Sequence, residues 1–296
     1  MLGIKVEEIV LSLIIAGVII VLAFQNSTFD NNTRFVMCDV GQGDGMYLRI
    51  NNKIDMLIDA GPSSKILNCL GKYMPFFDKK IEFAILTHAQ KDHYGGYLNV
   101  LNHYQIDQFI TNPVTNKGQT YLSFLEKLKE RKIPIYFAYA QDQLIIHDSR
   151  LIFLWPDRNF IELHSSLISG SLFRSPESNF DLNESSLIFT FTDEKVRFLL
   201  TGDTTSKILN RLSQQSITDI DVLKVPHHGS RYGLNSKTVK LADPILSLIS
   251  SGKNNSYHHP SKEVLQILRA TNTKILRTDT NGDIKIKLNK GEVKLF

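Results

Sequence analysis

The sequence predicts a single α/β domain of four layers, α/β/β/α, entered through an N-terminal transmembrane helix. Three observations point there. Strands and hairpins dominate the first part of the body, helices alternate with strands later, and the two halves share a grammar without any short repeat. Apolar strands repeatedly run into loops rich in His and Asp, which places polar chemistry at strand ends. Residues 9–24 form an uncharged, apolar run. With 296 residues, 42% hydrophobic and 22% charged, the chain can bury a sizeable core and is not disordered by composition.

Residues 1–24 are expected to be a membrane anchor, 25–33 a polar linker and 34–296 the folded body. The run 9–24 is slightly short for a spanning helix, and Val6 with its flanks extends it to a marginal length. Only Ala23-Phe24-Gln25 follows where a secretory signal would need a small-x-small cleavage site. No polar face marks the segment as a half-exposed helix. Lys5 precedes the run and no Lys or Arg follows until Arg34, a bias that puts the body on the extracytoplasmic side of a cell membrane. Without residues 1–24 the chain keeps 33 basic and 28 acidic residues, an excess compatible with an anionic substrate but too mild to imply one.

Along the body, strands are expected at 34–40, 45–50 and 53–59. Ile66, Leu67, Leu70 and Tyr73 then give 65–73 a helical period. A strand at 83–86 is followed by helices at 97–103 and 120–131, with short strands at 106–111 and 135–138. After a strand at 151–155, residues 157–181 dissolve into Ser, Asn, Arg and Pro and read as a long surface loop. A hairpin of 185–192 and 195–201 turns at Asp193-Glu194, and a helix at 205–213 leads to a strand at 221–225. Helices at 236–241 and 261–271 flank a strand at 245–249, and strands at 274–278, 283–288 and 293–296 end the chain. Cys38 in a strand and Cys69 on a helix's apolar face read as buried free thiols. A disulfide between them would instead fit an oxidising compartment.

Chemistry concentrates in Ile85-Leu-Thr-His-Ala-Gln-Lys-Asp-His-Tyr-Gly-Gly96, where His88, Asp92 and His93 fall within six positions at the end of a strand. Imidazoles and a carboxylate, without thiolate, suit a borderline divalent cation such as zinc or manganese. Leu199-Leu-Thr-Gly-Asp203 closes another strand with a carboxylate, and Asp221-Val-Leu-Lys-Val-Pro-His-His-Gly-Ser230 ends a third with His227 and His228. Three such strand ends can converge at one sheet edge.

Together with Asp39-Val-Gly-Gln-Gly-Asp44, Leu57-Ile-Asp-Ala-Gly61, Ser251-Gly-Lys-Asn-Asn-Ser-Tyr-His-His-Pro-Ser261 and Arg277-Thr-Asp-Thr-Asn-Gly282, these motifs follow one another in an order that resembles the metallo-hydrolase domain of ComEC-type DNA-uptake proteins. The resemblance covers nearly the whole body. It implies a metallo-β-lactamase-like sandwich and an extracytoplasmic nuclease acting on DNA. One hydrophobic segment stands here in place of the multi-pass channel of those proteins.

The resemblance also implies roles. His88 would serve a first metal, Asp92 and His93 a second, and Asp203 would bridge. The last ligand would be His228 if the Val-Pro-His-His-Gly ending aligns in the usual way, with His227 the alternative. Asp92 is counted with the catalytic groups, as is His259, a candidate proton donor or phosphate contact. Asp59 would orient ligands from behind, with Asp39 and Asp44 in similar roles. Lys253, Asn254 and Asn255 would hold a phosphate. Gln90 stands where relatives carry a ligand, and the expected third His falls in Asn183-Glu-Ser-Ser186, which has none. One firmly held ion is therefore expected, with a second that is weak or assisted by substrate. The leading expectation is a membrane-anchored phosphodiesterase acting as a nuclease on DNA. Phosphodiesters of cell-wall polymers or phosphocholine decoration form a second substrate class. Gln90 and the missing His motivate a third reading, a non-catalytic binding module.

Overall fold

The computed structural model describes residues 6–29 and 32–296. The first element is α1 (Val6–Phe29), whose described side chains, 7–18, are all exposed, with Leu11, Leu13, Ile14 and Val18 among them. Among the described residues no helix is long and apolar enough to cross a membrane, so the expected transmembrane helix finds no support in the fold. The helix also continues through 25–29, where a linker is expected, because each residue added to a formed helix gains a backbone hydrogen bond. Lys5, which carries the orientation, and residues 30 and 31 of the linker lie outside the described residues.

The body opens with an antiparallel meander, β1 (Thr33–Met37), β2 (Gly45–Ile50) and β3 (Ile54–Ala60). Side chains alternate across these strands. Phe35, Met37, Met46 and Leu48 point to one core, and Val36 and Tyr47 to another. The chain then passes through α2 (Lys65–Tyr73), β4 (Lys80–Ile85), α3 (Lys91–Tyr94), α4 (Tyr97–His103), β5 (Gln105–Thr111), α5 (Gln119–Glu130) and β6 (Ile135–Phe137). From β3 to β6 the pairing is parallel. The second half runs through β7 (Gln143–Ile146), β8 (Ser149–Trp155), α6 (Arg158–His164), the ribbon β9 (Ser165–Leu167) and β10 (Arg174–Pro176), β11 (Ile188–Asp193), β12 (Val196–Leu200) and α7 (Ser206–Leu209). It continues with β13 (Val222–Lys224), α8 (Ser236–Ala242), β14 (Leu246–Ile249), α9 (Lys262–Arg269), β15 (Lys274–Arg277), α10 (Thr278–Asn281), β16 (Ile284–Asn289) and β17 (Glu292–Leu295).

The eight-stranded sheet has the order β17-β16-β1-β2-β3-β4-β5-β6, and the seven-stranded one β15-β14-β13-β12-β11-β8-β7. Their facing sides share one core in which Phe35, Leu48 and Ile58 meet Phe153, Phe189 and Phe198. A second core lies between the first sheet and α2, α4 and α5, and a third between the second sheet and α6 to α9. Three cores between four layers give the expected α/β/β/α sandwich. Each sheet ends in a parallel half, β3 to β6 and β12 to β15. Carboxyl ends of parallel strands are where open α/β sheets place ligands.

Several expectations need correction. Residues 157–181 are no simple loop: Asp157 caps α6 by accepting from the Phe160 amide at 2.7 Å, and Phe160 and Ile161 are buried beside Trp155. The apolar stretch is too short to show a helical period. Strand β7 was not expected, and the helix expected at 205–213 is only Ser206–Leu209. Cys38 and Cys69 are not free thiols. They form a disulfide, with Cα atoms 5.9 Å apart, that ties the end of β1 to the buried face of α2. Both are buried, so the thiol reading had the environment right and the proximity wrong.

Candidate metal centre

The loop after β4 carries Thr87 and His88, and α3 turns Asp92 and His93 towards the sheet edge. Close backbone approach makes this possible. A Cβ at Gly43, whose φ is +140°, would collide with the carbonyl of Asp92, and one at Gly96 with the carbonyl of Ala60. Asp59, at the end of β3, is fully buried and held by two donors. The Thr87 amide reaches Oδ1 at 2.8 Å and the Thr87 hydroxyl reaches Oδ2 at 2.8 Å. His93 Nδ1 lies 2.8 Å from Asp59 Oδ2, which fixes the ring and leaves Nε2 as its free face.

On the second sheet, Asp203 follows β12 and the histidine pair follows β13. His227 and His228 are both left-handed, with φ of 50° and 54°, a conformation that costs of order 1–3 kcal/mol for each non-glycine residue. The surrounding backbone holds them there: the His227 amide donates to Gly202 O at 3.2 Å, and the Ser230 amide to His227 O at 2.7 Å. His228 Nδ1 lies 3.0 Å from the carbonyl of Ser250 and 3.4 Å from Asp44 Oδ1. Its Nε2 therefore faces the same point as that of His93.

Four groups converge. Asp203 Oδ2 is 3.0 Å from His228 Nε2 and 3.2 Å from His93 Nε2, and Asp92 Oδ2 is 3.4 Å and 3.9 Å from the same two nitrogens. One ligand atom from each of Asp92, His93, Asp203 and His228 lies within 4.8 Å of all the others. Three of these atoms, His93 Nε2, His228 Nε2 and Asp203 Oδ2, are buried without a hydrogen-bond partner. Orphaned atoms of this kind are costly, and a divalent cation would satisfy all three in a two-nitrogen, two-oxygen set. The donor set fits zinc or manganese.

The charges are strongly coupled. Burial opposes protonation of His93, yet Asp203, Asp59 and Asp92 hold its pKa well above the usual imidazole value. Burial likewise opposes the charge on His228, and Asp203 and Asp44 overcome it. Burial favours the neutral form of Asp203, but His228, His93 and Lys224 keep it ionised, with its pKa well below the carboxylate norm. A bound cation would take over the protons' role at both imidazoles. His88 is different: burial, reinforced by His93, pushes it down to about 3. Its Nδ1 lies 3.1 Å from the Thr87 hydroxyl, and its Nε2 is buried and unpartnered. It stands outside the four-residue group, 4.2 Å from the His93 ring.

Lys224 is the main group that sequence reasoning passed over. It is fully buried, forms an ion pair with Asp44, donates to Gly202 O at 2.7 Å and lies 3.5 Å from Asp203 Oδ1. One oxygen of Asp203 thus faces an ammonium and the other the metal position. A lysine flanked by Leu223 and Val225 in a short apolar strand was the available signal. Thr87 and Ser250 were missed because their roles depend on contacts across the sheet edge.

A cavity of about 640 Å³ opens over the cluster, with Gln90, Asp92, His227, His228 and His259 in its wall. Lys65 and Lys91 also line it, as does Tyr257. His227 Nδ1 is buried and unpartnered, but the residue is not one of the four converging groups. His259 is half-buried, and burial together with His228 pushes it down to about 4. Four further expected residues, Asp39, Lys253, Asn254 and Asn255, do not line the cavity. Asp39 is exposed, and its carboxylate closes a turn by accepting from the Gly41 amide at 3.2 Å. Lys253 and Asn254 are exposed. Asn255 spends its side chain on its own loop, donating to Gly252 O and His259 O and accepting from the His259 amide.

No protein-family model matches the chain. It is 29% identical over 280 residues to ComE operon protein 3 of Bacillus subtilis, covering 85% of this chain and 32% of that protein. It is 25% identical over 274 residues to competence protein ComA of Neisseria gonorrhoeae, covering 90% and 34%. The chain thus spans about a third of the length of these relatives. Among solved structures, the metallo-β-lactamase fold protein YhfI from Bacillus subtilis superposes with a TM-score of 0.54 at 12% identity, covering 86% of this chain and 99% of that one. At that identity the likeness establishes the fold, the metallo-β-lactamase sandwich expected from the sequence. The named homologues agree with the resemblance read from the motifs.

Proposed function

We propose that the body is a metal-dependent phosphodiesterase acting on DNA, attached to a membrane and facing the extracytoplasmic side. The observation that carries the catalytic part is the convergence of three unpartnered buried ligand atoms with Asp92 at the floor of an open cavity. An ion held by Asp92, His93, Asp203 and His228 supplies Lewis acidity towards a phosphoryl oxygen and lowers the pKa of water. Asp59 and the Ser250 carbonyl hold the two imidazoles with Nε2 forward. Lys224 occupies the far side of Asp203. Lys65 and Lys91 bring positive charge to the cavity wall, where an anionic ester would lie. His259 is neutral at pH 7, so it serves as a hydrogen-bonding contact or takes up a proton, and it does not act as a cationic acid. His88 and Gln90 offer too few ligands for an equally firm second ion.

Attachment is supported by the exposed apolar side chains of α1, which need a lipid or protein environment. The buried Cys38–Cys69 disulfide fits an oxidising compartment. The competence-named homologues support DNA as the substrate. Incubating the purified chain with labelled single- and double-stranded DNA, with manganese, zinc or chelator, tests the reading. Cleavage that requires an added ion is expected. Intact DNA alongside hydrolysis of a small phosphodiester would move the substrate to the cell-wall or phosphocholine class. Inertness towards both, with metal still bound, would leave a binding module.

A further inference from the structure

A second cavity, of about 540 Å³, adjoins the first and shares Tyr257 and His259 with it. Two aromatic rings stand out in its wall. Tyr232 is 64% exposed and Tyr257 67%, far more than large aromatics normally leave in water. Tyr257 stacks on His259 at 5.7 Å with an interplanar angle of 24°, and the Arg231 guanidinium lies over the Tyr232 ring at 5.1 Å. Arg231 and Lys262 bring two cations to the wall, against one carboxylate, Glu263. The backbone beneath is fixed. The Ser261 amide donates to Gly229 O at 2.9 Å, and a Cβ at Gly229 would meet Pro260, so the Tyr257–Pro260 loop is packed onto the His228 turn.

We propose that this second cavity binds a nucleotide of a single-stranded nucleic acid, next to the phosphate held in the metal cavity. The base stacks on Tyr232 or Tyr257, and the flanking phosphate meets Arg231 and Lys262. Exposed aromatic faces beside cations match a base next to a phosphate, and a base is free to stack on protein only when it is unpaired. The inference rests on the phosphodiesterase reading for its neighbouring phosphate, while its own evidence is the aromatic and cationic wall.

The test is equilibrium binding of a fluorescent oligothymidylate to the full chain in chelator, where nothing is cleaved. Tyr232→Ala or Tyr257→Ala, whichever removes the ring that carries the base, should weaken binding by about 5- to 150-fold, the range for loss of one base–aromatic stack. Tyr232→Phe and Tyr257→Phe should bind as the parent does. An oligomer of abasic sites should bind the parent protein correspondingly weakly and lose little more on Tyr232→Ala. Arg231→Ala should lower the slope of log affinity against log salt by about one. Equal affinity of the parent protein for abasic and thymidine strands would overturn the proposal without any variant having to fold. So would unchanged binding by the double variant Tyr232→Ala/Tyr257→Ala. Base-dependent binding without ion-dependent hydrolysis of any phosphodiester would refute the catalytic reading alone. Hydrolysis with base-independent binding would refute the second cavity alone.

Discussion

At the closed side of the first sheet, Tyr47 and Arg49 both donate to Asp55, Arg49 reaches Asp78 at 3.2 Å, and the Asp55 amide donates to Glu82 at 2.8 Å. Each Asp55 carboxylate oxygen has a donor of its own. At the open edge, Asp92 converges with the buried His93, Asp203 and His228, and buried Asp59 and His88 lie beside His93, yet Nε2 of all three histidines and Asp203 Oδ2 have no hydrogen-bond partner. Both regions bury charge. The first is internally complete, and the second is complete only if something enters. Burial of charge therefore does not by itself mark function; unpaired atoms aimed at one point do.

This contrast can be broken most sharply at Asp203. Asp203→Ala should abolish both the bound ion and ion-dependent hydrolysis, whereas Arg49→Met should leave the ion in place. Metal analysis and rates on both variants check this. Arg49→Met should act on stability instead, costing about 3–5 kcal/mol because Asp55 is left buried without its counter-charge, as read by urea unfolding. Asp59→Asn should keep the ion but weaken its affinity about 10- to 100-fold, since it supports His93 without touching the ion. Gln90→Ala should cost the least, about a few-fold, because a neutral amide oxygen contributes little to a borderline cation. A loss there equal to that of Asp203→Ala would mean that the position beside His88 is a full metal site.

The metal position should also respond to pH. His93 and His228 carry pKa values raised well above the imidazole norm in the metal-free protein, so each must release a proton before its Nε2 can ligate. Metal affinity should rise with pH from neutrality up to those raised values and fall as pH drops. Calorimetry in buffers of different ionisation enthalpy should show protons leaving as metal binds. His88 is already neutral down to about pH 3 and adds nothing to this dependence.

Much of the fold was legible because apolar alternation and turn residues carry it locally. The strand Gly45–Ile50 and the helices Lys65–Tyr73 and Tyr97–His103 have the bounds read from the sequence. The candidate ligands were legible because His and Asp at strand ends have few packing uses. What was not legible depends on distant neighbours. Cys38 and Cys69 look like core thiols until β1 and α2 bring them within bridging distance. Lys224 looks like an ordinary charge until Asp44 and Asp203 surround it. Lys253 and Asn254 are near His259 in sequence, but the cations that line the cavity are Lys65 and Lys91, brought there from other elements.

The most direct test is the number of ions retained after exhaustive dialysis by the parent chain, His228→Ala and His227→Ala. The two histidines are adjacent in sequence and share the same strained backbone, so a general folding effect would strike both alike. One zinc or manganese ion per chain should persist in the parent and in His227→Ala, and disappear in His228→Ala. An ion kept by His228→Ala and lost from His227→Ala would contradict the account, as would a parent chain that holds no ion.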